Sequence, residues 1–178
     1  MYTSCYSNYM GAYQNVVAVS TTWGYTRSMG IEPDEARLTA WRAFLTAHAS
    51  TVAAIERDLA AEGLVPLTWY DVLVALWEAP DHRLRLHELA REVVLSRSGL
   101  TRLVDRLEAA GLLRREPCAD DRRGAYAVLT GEGRAAQLRA WPIYARGIAT
   151  HFADHLSEEE ASVLADTLQR IGAAASSA

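Results

Sequence analysis

Ser96–Leu129 reads SRSGLTRLVDRLEAAGLLRREPCADDRRGAYAVL, and its reading decides the fold. Leu100, Leu103, Val104 and Leu107 recur at i, i+3, i+4 and i+7, so they share one face of a helix. Arg97, Ser98, Thr101, Arg102 and Asp105 fall mostly off that face. Ser96 is placed to cap the helix start and Gly111 to end it. Two short strand-like runs follow, Leu112–Pro117 and Ala125–Leu129, joined by the polar tip Cys118–Gly124. That tip carries Asp120, Asp121, Arg122 and Arg123.

A helix with an arginine-bearing outer face, followed at once by a hairpin tipped with arginines, has the outline of a winged helix-turn-helix. Pattern alone leaves a second reading open, a core helix beside a surface hairpin with ordinary solvated charges. The longer run HELAREVVLSRSGLTRLVDRLEAAGLLRR, and then DDRRGAYAVLTGEGR, resembles the MarR family of bacterial transcription regulators. The resemblance spans Thr68 to Arg134 and continues more loosely to Ile171. Its most specific parts are the helix SGLTRLVDRLE, the Asp121-x-Arg123 tip and Leu129-Thr130-x-x-Gly133 after it. The fold this implies is mostly α with a small β-wing, a winged helix-turn-helix plus a helical dimerisation domain.

Outward from this stretch, 178 residues of which half are hydrophobic suit one compact domain, or one domain with a dimerisation extension. No apolar run approaches membrane-span length, and residues 1–30 lack the basic start and apolar core of a signal peptide. A cytoplasmic protein without a membrane partner is therefore expected. Cys5 and Cys118 suggest no disulfide framework.

The net charge of −4 hides an asymmetry. From Arg83 to Arg123 ten arginines face seven acids, a local +3, while the remainder carries eight arginines against fifteen acids, or −7. A basic region on an acidic body is the footprint expected of a nucleic-acid binder, although +3 is a modest excess for such a window. Lysine is absent.

Residues 1–28 are rich in Tyr, Ser and Thr, show no sustained period, and read as an N-terminal extension, disordered or loosely packed. An arm that wraps a partner subunit is the alternative. Pro33, Asp34 and Glu35 open a long helix, with acids near its positive end. Leu38, Trp41, Leu45, His48, Val52, Ile55 and Leu59 then step by three and four, a seam against another helix. Gly63 and Pro66 end it. Thr68-x-x-Asp71 predicts a capping box for a second helix with Trp69, Val72, Leu73, Leu76 and Trp77 on one face.

Leu84–Leu86 is a strand candidate, and His87–Val93 the first helix of the helix-turn-helix. His87 stands where a capping hydroxyl is common in the family, and β-branched Val94 stands in a turn that favours positive φ. Thr130 caps the helix after the wing. Leu138, Trp141, Ala145, Ile148, Phe152 and His155 continue its apolar run, which Pro142 should bend or break. Ser157-x-x-Glu160 opens a last helix bearing Leu164, Leu168 and Ile171, and Ala173–Ala178 is expected to fray. The expected organisation is an extension at 1–28, a helical dimerisation region from 29–66 and 131–175, and a DNA-binding domain at 67–130.

Enzyme signatures are absent: no phosphate-cradling glycine loop, no nucleophile elbow and no zinc-ribbon spacing. No cofactor or metal is expected. His151 and His155, four apart on an expected helix, have metal-compatible spacing but read first as two helix-face histidines. Cys118 beside arginines admits a redox reading. The resemblance implies a homodimer that binds double-stranded DNA at a roughly palindromic operator, acts as a repressor, and is released by a small aromatic or anionic effector.

Ser98, Thr101 and Arg102 are then expected at base edges, with Arg97 and Arg106 at phosphates or in nearby packing. Arg122 belongs to the same DNA-binding set, Arg123 would enter the minor groove, and Asp121 would brace the wing. Trp41, His48, Trp69 and Trp141 are the candidates to line an effector pocket. A winged-helix ligand-binding or protein-interaction module without DNA binding is the alternative.

Overall fold

The computed structural model describes residues 33–93, 97–118 and 124–177. The expectations for residues 1–28, for the cap at Ser96 and for the turn at Val94 fall outside the described residues. The chain divides into two units, Met1–Ala53 and Ala54–Ala178. Helix α1 (Glu35–Ala61) spans the boundary. In the first unit the seam residue Trp41 is exposed, as is Phe44, which lies off the expected seam.

The second unit is mostly helical. It contains the end of α1, then α2 (Leu67–Glu78), β1 (Arg83–Arg85), α3 (Leu86–Glu92), α4 (Arg97–Ala109), β2 (Leu113–Pro117), β3 (Ala125–Leu129), α5 (Gly131–His151) and α6 (Glu158–Ser176). The three strands form one antiparallel sheet in the order β1-β3-β2. Arg83 lies opposite Val128 across one pair, and Leu113 opposite Leu129 across the other. This is a winged helix-turn-helix with flanking helices. Among the described residues, no helix is long and apolar enough to cross a membrane.

One core holds α2 to α4, the sheet and the start of α5 together. Val72, Leu73 and Leu76 of α2 meet Leu89 of α3, Val104 and Leu107 of α4, Leu113 of β2 and Ala127 of β3. Leu73, Leu76, Leu89 and Leu107 have no exposed surface, so truncating any of them to alanine should cost about 2–5 kcal/mol. The i, i+3, i+4, i+7 row of α4 is thus the inner face, as its spacing predicts.

The ends of the helices are set locally. Gly111, at φ +73°, closes α4: its N–H donates to Glu108 O and the Leu112 N–H to Leu107 O. This paired closure needs a left-handed residue, which glycine adopts without a Cβ penalty. Thr130 caps α5, accepting the Gly133 N–H at 3.0 Å. Its own hydroxyl donates to Gly111 O at 2.7 Å, so one side chain joins the end of α4 to the start of α5. The Ser157 box is complete, with Glu160 N–H to Ser157 Oγ at 3.3 Å and Ser157 N–H to Glu160 Oε2 at 2.9 Å.

Several expectations are corrected. The capping box at Thr68 is not made; α2 begins two residues earlier than that box implies, after Pro66, and the Leu67 N–H donates to Glu56 Oε1 at 3.0 Å. A carboxylate eleven residues upstream satisfies the helix end that a local hydroxyl was expected to fill. The strand is Arg83–Arg85, one residue before its expected position, and α3 starts at Leu86. His87 is therefore inside the helix and not its cap. Arg85 is the cap residue, and its N–H donates to Glu88 Oε2 at 2.9 Å. Strand β2 begins at Leu113 because Leu112 is spent on closing α4.

Helix α5 runs unbroken through Pro142 and ends at His151. His155 lies beyond it, in a separate 3-10 turn at Ala153–His155. The i, i+4 helical geometry that would let the two histidines share a metal is therefore lost. Helix α6 stays helical to Ser176, past the point where fraying was expected. Between α2 and β1 the chain turns through Asp81 and His82, both at φ 54°, a left-handed pair costly for side-chain-bearing residues. His82 Nδ1 lies 2.8 Å from Trp77 O, and its ring stacks on Trp77 at 4.3 Å.

Candidate nucleic-acid interface

Burying the apolar row of α4 turns its other side outward. Thr101, Arg102, Asp105 and Arg106 are exposed. Arg97 and Ser98 occupy the first turn of the same helix. Ser98, Thr101, Arg102 and Asp105 are spaced to lie on one helical face. Arg106 folds its Nε onto Arg102 O at 3.3 Å, so it lies along the helix, one turn from Arg102.

The wing follows within a few residues. Its two strands pair from Leu113 opposite Leu129 to Pro117 opposite Ala125. The Cys118 N–H donates to Gly124 O at 3.1 Å and closes the base of the tip. Cys118 is buried there. Asp121, Arg122 and Arg123 belong to the tip itself and lie outside the described residues.

The basic excess of this region is not spread evenly. Arg114 is engaged with Glu116 at 2.6 Å. Arg115 turns the other way, toward α4, where Nη2 reaches Asp105 Oδ1 at 2.5 Å and Nη1 pairs with Glu108. Burial alone would lower the Arg115 pKa; the two carboxylates outweigh it and raise it. At least three of the ten arginines counted in the sequence window are matched by acids within the fold, the third being Arg83, 3.5 Å from Asp81. Arg83 and Arg85, two apart on β1, both lie over the Tyr126 ring, at 5.0 and 5.5 Å. Their period-two spacing was a readable signal that they share a sheet face; that Tyr126 sits beneath them was not.

The aromatic candidates do not form one uniform set. On α1, Trp41 and His48 stand either side of Phe44, with ring centroids 6.0 and 6.3 Å from it. In the second unit, Trp69 packs on the core, whereas Trp141 stands half exposed and edge-on to Tyr144 at 6.2 Å. Tyr144 in turn meets Tyr70 at 5.0 Å.

A polar group around these tyrosines has no simple sequence signal. Gln137, the one buried polar residue among those described, donates to Tyr70 Oη at 3.4 Å. Asp71 is in contact with solvent but sits in a crowded neighbourhood that strips part of its hydration. That loss, and then the Glu56 charge, push its pKa up to about 6. Glu56 is raised by burial, against the opposing pull of the Leu67 N–H. His151 Nε2 reaches Asp58 Oδ2 at 2.8 Å. No group of three or more metal-ligating side chains occurs among the described residues.

Comparison with known proteins agrees with this geometry. The MarR family profile matches residues 63–124. The HTH-type transcriptional regulator YkoM of Bacillus subtilis is 30% identical over 145 residues, covering 82% of this chain and 92% of that protein. The crystal structure of AbsC, a MarR family transcriptional regulator from Streptomyces coelicolor, superposes with a TM-score of 0.76 at 31% identity, over 86% of this chain and all of that one. Sco3205, a MarR family transcriptional regulator from the same organism solved in complex with DNA, gives a TM-score of 0.75 at 30% identity, over 82% and 91% of the two chains.

Proposed function

This chain belongs to the MarR family of transcriptional regulators, and from that premise we propose that it is a homodimer that binds a roughly palindromic operator in double-stranded DNA, acts as a repressor, and is released by a small aromatic or anionic ligand. It is a regulator and not an enzyme. The observation that carries the proposal is the division of α4: Leu103, Val104 and Leu107 are sealed in the core while Thr101, Arg102 and Arg106 face solvent. A helix held so rigidly on one side, with donors on the other, suits insertion into a major groove. The DNA complex of the similar regulator Sco3205 supports the same reading.

In this proposal Ser98, Thr101 and Arg102 meet base edges, Arg97 and Arg106 meet phosphates, and Arg122 and Arg123 of the wing follow the adjacent minor groove, with Asp121 bracing the tip. Residues 67–130 form the DNA-binding domain, and 29–66 with 131–175 the dimerisation region. Two-fold symmetry of such a dimer would be mirrored in the operator. Trp41, His48, Trp69 and Trp141 are the proposed effector contacts.

A gel-shift titration with the DNA flanking its own gene, against random competitor, tests the proposal. A specific complex about 10³-fold tighter than the random one is expected. Failure to retard any fragment would favour a ligand-binding or protein-interaction module on the same fold.

A further inference from the structure

Arg115 lies on the first wing strand, yet its side chain is turned onto the recognition helix. Nη2 meets Asp105 Oδ1 at 2.5 Å, and Nη1 pairs with Glu108, which also accepts the Arg115 backbone N–H at 2.8 Å. The guanidinium thus spans two carboxylates three residues apart on α4, about 4.5 Å along the axis. One bond would leave a pivot; two anchors at different heights fix an angle. Between α4 and β2 the covalent link is only the turn 110–112, closed at Gly111.

We propose that Arg115 is a positioning residue for operator recognition: with Asp105 and Glu108 it sets the angle between recognition helix and wing. The inference rests on the reading of α4 and the wing as the DNA-contacting parts. Specific binding needs the helix in its groove and the wing tip in the next at the same time, so an error in their mutual angle is felt at both. Binding to random DNA, which is mostly attraction to phosphates, tolerates such an error. The tie itself adds little stability, because Asp105 is largely exposed and exposed ion pairs are weak and screened. Lysine could not replace the arginine, since a single ammonium lacks the planar fork that reaches both acids.

Asp105→Asn in the full-length protein gives a test in which two explanations have opposite signs. If Asp105 acts only as a charge near DNA, removing it should tighten binding to every duplex. If it anchors Arg115, operator affinity should fall about three- to tenfold while random-duplex affinity holds or rises slightly. Arg115→Met should lower operator affinity by about tenfold or more, with random-duplex affinity changed less than twofold and the melting temperature nearly kept. The double variant should bind the operator no more weakly than Arg115→Met alone, as expected when two residues act as one unit.

Tighter or unchanged operator binding by Asp105→Asn, or an equal loss on both duplexes, would overturn the proposal. Should Arg115→Met fail to fold, Asp105→Asn still decides. If the unmodified protein distinguishes no duplex from random DNA, the functional reading falls and this inference with it; if it does distinguish and both variants keep the same ratio, only the inference falls.

Discussion

A Cβ added to Gly133 would lie 2.0 Å from the carbonyl oxygen of Leu112 and 2.8 Å from Leu129 Cδ1. The first turn of α5 is pressed against the backbone that leaves α4, where Leu112 O also accepts the Thr130 N–H at 3.2 Å. Glycine in the Leu129-Thr130-x-x-Gly133 run is thus a matter of clearance.

Gly133→Ala should therefore destabilise strongly, at or above the upper end of the roughly 1–3 kcal/mol typical of overpacking. The blocking atom belongs to the main chain and cannot rotate away. Chemical denaturation measures it. Gly131→Ala, whose Cβ would meet nothing within 4 Å, is the control and should be nearly neutral. Equal losses for the two would remove the clearance argument.

Arg102 and Arg123 should separate on DNA. Arg102→Ala should cost about 1–3 kcal/mol on the operator and much less on random duplex, because an arginine in the major groove grips guanine with two hydrogen bonds. Arg123→Ala should weaken both and lower the salt slope by roughly one ion. Binding isotherms at several salt concentrations read both quantities, and identical losses on the two duplexes would mean the arginines only add charge.

Asp71 makes stability depend on pH. Its pKa in the folded protein is about 6 against an ordinary 3.8. Between those values the folded state holds a proton that the unfolded chain has released, so acidification toward pH 4 favours folding and ionisation above pH 6 opposes it. Glu56 shifts in the same direction. Asp71→Asn should raise the melting temperature at pH 7.5, and the gain should shrink toward zero near pH 4. A gain that ignores pH would exclude this origin.

Val163 and Ile171 on α6 are 62% and 57% exposed. If this helix belongs to a dimer interface, Val163→Glu with Ile171→Glu should shift light scattering at micromolar concentration from dimer toward monomer, while the isolated fold keeps its helical signal. An unchanged mass would place the interface elsewhere.

Features readable from the sequence were those that close over a few residues. The buried row Leu100, Leu103, Val104 and Leu107 follows from helical period, the close of α4 from a glycine, the start of α6 from a capping box, and the Thr130 cap from a hydroxyl three residues before Gly133. In each case the partners are separated by about one turn, so spacing alone places them. One error came where a longer return intervenes: Leu67 is capped by Glu56 eleven residues away and not by Thr68. Another was local, since Arg85 and not His87 caps α3, through Glu88 three residues on. Arg115 looked like one more basic residue of a DNA-binding region until the fold set it against Asp105, ten residues back, and Glu108, seven back. The sequence by itself determined which face of α4 is buried and that a two-stranded hairpin follows it, because periodicity and glycine closure act within a turn. Only the tertiary structure decided which charges remain outward, because a charged side chain takes its role from the segment that folding brings beside it.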